Sequence, residues 1–233
     1  MSAIALLGYG KMGKRIETLA LERNHRVVLC TNETPDRLPS DTEVIINFST
    51  PDSAVDLIRL GLQQGIPVVS GTTGWLERLS EIEALATALQ TAFLYSSNFS
   101  LGVNLFFALN NKLASLMAPH KDYAVSMTEI HHTQKLDAPS GTALSLATAH
   151  LEAQDLKGIS DVPKDNHLHI TSLREGEVPG THIVNYLSNI DQISIRHEAF
   201  SRDGFALGAL IAAEWIIGKK GIFTLSDVLN LHP

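Results

Sequence analysis

The sequence predicts an α/β chain in which a parallel-sheet domain built of βαβ units gives way, after about residue 99, to an α+β domain with a mixed sheet. Two patterns carry this expectation. Through the first 99 residues, short apolar runs alternate with longer stretches of helical periodicity. Beyond Phe99 a long apolar helix leads into several alternating segments, so that strands outnumber helices. With 44% hydrophobic and 18% charged residues over 233 positions, the composition is that of an ordinary globular protein able to bury a core.

Taken in order, a strand at Ile4 to Leu7 precedes a helix reaching about Asn24, and strands follow at Val27 to Cys30 and Val44 to Phe48. Thr50, Pro51 and Asp52 supply a cap, a first-turn proline and an acid for a helix that buries Val55, Leu57, Ile58 and Leu62. A strand at Ile66 to Ser70 runs into Gly71-Thr72-Thr73-Gly74, a helix covers about Leu76 to Gln90, and a fifth strand spans Ala92 to Ser96. After a helix at Leu101 to Met117, strands are expected at Tyr123 to Ile130, Leu168 to Ser172, Ile183 to Leu187 and Ile193 to His197. A crossover helix at about Ser140 to Ala153 is followed by loop from Gln154 to Asn166. Gly208 to Ile217 is an apolar helix, a short helix begins near Ser226, and this tail is expected to return to the first domain. The domains are therefore placed at 1-99 with 208-233, and at 100-207.

Eighteen Lys and Arg against 25 Asp and Glu give a formal charge of -7, the wrong sign for attracting nucleic acid or anionic lipid through the overall field. The one cysteine, Cys30, excludes an internal disulfide framework or a cysteine-cluster metal site and fits a reducing cytoplasm. MSAIALLGYG lacks a basic n-region and a cleavage site, and no apolar run approaches the roughly 18 residues that cross a bilayer. A soluble chain without membrane or nucleic-acid partners is expected.

Gly8-Tyr9-Gly10-Lys11-Met12-Gly13 follows a strand and opens a helix, the context in which G-x-G-x-x-G has physical meaning. The glycines let the backbone turn tightly and approach a pyrophosphate lying on the helix start, which predicts a Rossmann-like dinucleotide-binding domain. The ribose acid expected about 20 residues further on has two readings at Leu29-Cys30-Thr31-Asn32-Glu33: Glu33 itself, or a solvated Glu33 with Asn32 facing the ribose. Gly71-Thr72-Thr73-Gly74 and Ser97-Asn98-Phe99 fall at strand ends on the same rim.

The sharpest chemical signal is Glu129-Ile130-His131-His132-Thr133-Gln134-Lys135-Leu136-Asp137-Ala138-Pro139-Ser140-Gly141-Thr142-Ala143, joining a strand end to a helix start. Backbone N–H groups at Gly141 and Thr142 would face a carboxylate, while His131 and Lys135 can donate protons near neutral pH. No metal is expected: adjacent His131 and His132 point apart on an extended chain, and His167 and His169 lack a third ligand.

These residues resemble the dihydrodipicolinate reductases of bacterial and plant lysine and diaminopimelate biosynthesis. EIHHTQKLDAPSGTA matches that family's signature, and GYGKMG, NFSTP, GTTGW, SSNFSLGVN, REGEVPGTH and HEAFSRDGFALGAL match in order. The resemblance implies an NADH- or NADPH-dependent reduction of a cyclic dicarboxylate, 4-hydroxy-tetrahydrodipicolinate, with loss of water. It further implies an α+β substrate-binding and tetramerisation domain, and so a homotetramer. By motif, His131 is a proton donor or acceptor, Lys135 a proton donor that also meets the substrate, and His132, Ser140, Gly141 and Thr142 hold its carboxylates. Gly71, Thr72, Thr73, Ser96, Ser97, Asn98 and Phe99 would line the nicotinamide and its ribose, and Arg202 and Phe205 would reach the cofactor. The competing classes are a non-catalytic dinucleotide sensor, which would keep the glycine loop but has no need of an acid pair beside a carboxylate cradle, and another dehydrogenase acting on a small carboxylate. The glycine loop is one residue shorter than in many members, Asn47 stands where Asp often precedes Phe48, and the second strand lacks an acid at its tip. Use of both NADH and NADPH follows as the expectation.

Overall fold

The computed structural model describes residues 1–201 and 203–231, which form two compact units. The first joins Met1–Leu101 to the chain from Asp203 onward, and the second begins at Gly102.

In the first unit the strands are β1 (Ala3–Leu7), β2 (Arg26–Thr31), β3 (Val44–Asn47), β4 (Val68–Ser70), β5 (Ala92–Tyr95) and, from the tail, β11 (Gly221–Phe223). All pair in parallel in the order β11-β5-β4-β3-β1-β2. The order reverses at β1, so the carboxyl ends of β1 and β3 flank the switch point where open α/β sheets bind ligands. Alternation along β1 sends Ile4 and Leu6 into one core, with α1 (Lys11–Glu22) and α6 (Asp203–Ile216), and Ala5 and Leu7 into the other, with α2 (Pro51–Gln63) and α3 (Leu79–Ala88). Arg15 on α1 forms a bidentate pair with Asp203 at the start of α6, at 2.6 and 2.7 Å.

Helix α6 begins at Asp203, five residues before the expected start at Gly208. Gly208 stands inside the helix, where the absence of a Cβ lets the Phe99 carbonyl approach closely. The helix expected over Leu76 to Gln90 opens as a 3-10 turn at Leu76–Arg78 and ends at Ala88, ahead of Gln90 at φ 53°. Strand β11 was not expected: three residues are too few to show a period.

The second unit carries β6 (Ala124–His131), β7 (Ile159–Ser160), β8 (Leu168–Arg174), β9 (Gly180–Leu187) and β10 (Gln192–Ala199), in the order β10-β9-β6-β8-β7. β9 is antiparallel to both β6 and β10, whereas β8 is parallel to β6 and β7, so the sheet is mixed. The two-residue β7 lies inside the segment expected as loop. One face of the sheet packs Val125, Met127, Ile170 and Val184 against α4 (Leu101–Met117) and α5 (Gly141–Gln154). Ser140 caps α5 by accepting from the Ala143 amide at 3.2 Å. Helix α5 is thus the crossover of a β6-α5-β8 unit, and its start lies just beyond the carboxyl end of β6.

Within that core His150 is fully buried between Asn110 and Tyr186. Its Nε2 donates to Asn110 Oδ1 at 2.7 Å, because the Asn110 amide nitrogen is committed to the Leu146 carbonyl, and its Nδ1 accepts from the Tyr186 hydroxyl at 2.7 Å. Burial pushes the imidazole down to about 4 from 6.5. The unfolded chain therefore takes up a proton that the folded one refuses as pH falls from about 6.5 to about 4, and stability present above this window is lost across it. In His150→Gln the slope of unfolding free energy against pH between 6.5 and 4.5 should shrink by about one proton. Equal slopes in the two proteins, measured by denaturant unfolding, would contradict this assignment.

Candidate functional site

On the first unit the glycine loop, the loop after β3 and the loop after β4 converge. A cavity of about 340 Å³ is lined by Gly10, Lys11, Met12, Phe48, Ser49, Pro51 and Gly71 to Thr73. Gly8 sits at φ +97° with its amide on the Thr31 carbonyl at 2.8 Å, and a Cβ there would strike the Phe48 carbonyl. Only glycine meets both demands. At Gly10, the N-cap of α1, a Cβ would meet nothing within 4 Å, so the helix start opens into free space. Such an uncapped helix start beside an open glycine fits a dinucleotide pyrophosphate.

Buried polar groups brace this rim. The Ser49 amide donates to Thr72 Oγ1 at 2.9 Å and to Asn47 Oδ1 at 3.1 Å, while Trp75 Nε1 donates to the Thr72 carbonyl at 2.6 Å. Ser96 Oγ bridges to the backbone of Asn98, Ser97 is exposed, and the buried Phe99 ring lies 5.7 Å from that of Phe48. At the tip of β2, Asn32 Oδ1 accepts from the Tyr9 amide at 2.6 Å, whereas Glu33 is exposed. Asn32 thus holds the glycine loop. Phe205 is half-buried in the first turn of α6, and Arg202 lies outside the described residues. The sequence reading gave no role to the β3 loop, although Phe48, Ser49 and Pro51 line the cavity. Its position after the strand next to β1 was the available signal.

In the second unit Glu129 and His131, both inward-facing on β6, meet Ser140 at the start of α5, Arg174 at the end of β8 and His182 on β9. Glu129 is completely buried. Its Oε1 accepts from Arg174 Nη2 at 2.9 Å and its Oε2 lies 2.8 Å from His131 Nδ1, with the imidazole N–H turned off that line. Burial alone would raise the Glu129 carboxyl, but hydrogen bonds from Ser140, Arg174 and Ser172 hold it below its ordinary value. Burial lowers His131, and Glu129 opposes part of that shift. His182, whose Nε2 is 3.2 Å from Ser140 Oγ, is pushed by burial to about 4 and stays neutral. Since Nδ1 of His131 faces Glu129, Nε2 is the atom left for chemistry.

Lys135 Nζ lies 2.7 Å from Asp137 Oδ1, and Lys135 holds the Asp137 carboxyl below its usual range with help from the Gly141 amide. His132 lines a cavity of about 470 Å³ with Thr133, Gln134, Gly176, Glu177, Pro179 and Ser201. Ser140, Gly141 and Thr142 are not on its wall. His131 and His182, with ring centroids 5.2 Å apart, are the imidazoles the fold brings together, rather than either pair weighed in the sequence. With Glu129 they place ligand-type atoms within 4.8 Å of one another, but a cation there would share its carboxylate with Arg174. Sequence reasoning gave no role to Glu129, Arg174 or His182, whose partnership depends on register across three strands.

The family model described as dihydrodipicolinate reductase, N-terminus, matches residues 2–99, and that described as dihydrodipicolinate reductase, C-terminus, matches residues 102–229. A 4-hydroxy-tetrahydrodipicolinate reductase of Christiangramia forsetii is 49% identical over 232 residues, covering 97% of each chain. One from Aquifex aeolicus is 36% identical over 257 residues, covering 95% of this chain and 96% of its own. Among solved structures, a dipicolinate-bound dihydrodipicolinate reductase from Paenisporosarcina sp. TG-14 superposes with a TM-score of 0.75 over 96% of this chain and 97% of its own, at 22% identity. That likeness is one of fold.

Proposed function

The chain belongs to the dihydrodipicolinate reductase family, and from that premise we propose which of its residues carry the reaction. It is an oxidoreductase that reduces 4-hydroxy-tetrahydrodipicolinate to tetrahydrodipicolinate with loss of water, using a reduced nicotinamide dinucleotide, in lysine and diaminopimelate biosynthesis. The observation that supports our assignment of roles is the buried Glu129 and His131 pair at the end of β6, followed directly by the loop that carries Lys135.

The reduced nicotinamide supplies a hydride when bound. In the first unit Gly8 to Gly13 would hold the pyrophosphate of that dinucleotide, and Gly71 to Thr73 with Ser96 to Phe99 would line its nicotinamide end. Lys135 donates a proton to the departing hydroxyl, which leaves as water, and takes up the proton released from the adjacent ring carbon as the double bond forms, while its charge stabilises the dicarboxylate. His131 Nε2 delivers a proton to the enamine carbon produced by hydride addition, so that one hydride and one proton enter the ring. The substrate carboxylates bind at His132, Ser140, Gly141 and Thr142, where charged and backbone donors suit a dicarboxylate. Lys135→Ala and His131→Ala should each lower turnover by about 10²-fold or more while nucleotide binding persists, with losses that do not add. Turnover equal to that of the unaltered enzyme in either variant removes that residue from the mechanism.

Both nucleotides serve as donors. With Asn32 engaged by the Tyr9 amide and no arginine at the tip of β2, neither the ribose 2′-hydroxyl nor a 2′-phosphate has a dedicated partner, whereas exposed Glu33 and Lys11 pull in opposite directions. NADH and NADPH should differ in kcat/KM by less than about tenfold, equivalent to roughly 1.4 kcal/mol. A hundredfold preference for NADH would make Glu33 the ribose acid, and one for NADPH would point to Lys11.

The enzyme assembles as a homotetramer through the second unit. Ile130, Leu173, Ile183 and Leu187 lie on the sheet face opposite α4 and α5, and Leu187 is 54% exposed. A sheet face without a helix layer, carrying these apolar residues among polar ones, suits packing against a second copy. Light scattering should return four times the chain mass of 25.3 kDa. A monomer mass at micromolar concentration would exclude the assembly.

A further inference from the structure

Arg174 stands directly opposite His131 in the parallel β6–β8 ladder. Its guanidinium makes four contacts, each to a different group. Nη2 reaches Glu129 Oε1 at 2.9 Å and the Asp137 carbonyl at 2.5 Å, Nε reaches the Lys135 carbonyl at 3.3 Å, and Nη1 reaches the Leu173 carbonyl at 2.7 Å. The turn that follows β8 adds two backbone ties, from the Glu175 amide to the His131 carbonyl at 2.8 Å and from the Thr133 amide to the Gly176 carbonyl at 3.1 Å. The lysine loop therefore hangs from one side chain whose charge is spent on the carboxylate that faces His131.

We propose that Arg174 and Glu129 are positioning residues for the reduction, a clamp that fixes the backbone of Lys135 and Asp137 relative to the His131 ring. The inference rests on the reading that His131 and Lys135 move the protons. A surface ion pair would carry no such argument, but here the carboxylate is fully buried and the Arg174 side chain only 19% exposed, so geometry is strongly dictated. Planarity matters as well. A guanidinium offers five donors in a fixed fork, enough to span a carboxylate and three carbonyls, whereas an ammonium offers three on a flexible stem. Arg174 also balances charge around His131, which faces Glu129 on its own strand, Lys135 from the loop, Arg174 from β8 and His182 from β9, with His197 on β10 beyond. Misplacement of a proton donor by about 1 Å is sufficient to cost about 10²-fold in rate.

The test compares Arg174→Gln, Arg174→Lys, Glu129→Gln and Lys135→Ala with the unaltered enzyme in steady-state kinetics, nucleotide titration and thermal unfolding. Arg174→Gln should lose about 30-fold or more in kcat with nucleotide affinity changed less than about twofold, and added guanidinium ion should restore part of that loss. Arg174→Lys should recover less than half of it. In a Lys135→Ala background, Arg174→Gln should cost little further, because the clamp acts through Lys135. If Arg174→Gln does not fold, Glu129→Gln keeps the question open to measurement. With the facing charge removed, the falling limb of its pH–rate profile should move to lower pH, and an unchanged profile would overturn the proposal. Wild-type kcat in Arg174→Gln alongside a crippled Lys135→Ala overturns the clamp alone. Full turnover in Lys135→Ala overturns the proton-transfer reading and the clamp with it.

Discussion

A single buried carboxylate organises the reactive end of the second unit. Glu129 has no exposed surface, so its charge must be met by the protein, and the groups gathered around it are the ones that matter chemically. Arg174 brings the lysine loop, Ser140 brings the start of α5, and His131 brings the proton-bearing ring. Without Glu129 these three would have no common reference. The cost of burying the charge is offset by the number of donors around it, and that number keeps it ionised despite its surroundings.

The first unit solves a different problem, how to leave backbone donors vacant without leaving the fold loose. Its answer is to place polar side chains underneath the loops rather than within them. Asn47 and Thr72 are buried and bonded to the backbone of the neighbouring loop, and Asn32 holds the Tyr9 amide from the far side. The helix start at Gly10 is left open. Asn47 meets the same structural need as a carboxylate at that position, because what it supplies is an acceptor for the Ser49 amide. A neutral amide does this without an added charge.

Most of the architecture was legible in the sequence because long apolar periods report directly on burial: α4 begins and ends where its pattern does, at Leu101 and Met117. What was illegible was set by other parts of the chain. The reason for a glycine at position 208 shows only when the Phe99 carbonyl is seen against it, and β11 is a strand only because β5 lies beside it. The site divides the same way. The glycine loop and the segment from His131 to Thr142 are contiguous and could be read, whereas Arg174 and His182 join Glu129 through the register of β8 and β9. A linear sequence does not display register.

The first unit is discontinuous, and this shapes how the chain is made. During synthesis the strands β1 to β5 leave the ribosome about a hundred residues ahead of α6, the helix that covers one of their faces. The second unit, by contrast, is continuous and has all its strands in hand before α6 is translated. Nascent Ile4, Leu6, Ile46 and Leu94, with only α1 on their side of the sheet, must therefore wait partly uncovered while a later segment folds first. That interval, rather than any weakness of the finished protein, is when the chain has the greatest need of a chaperone.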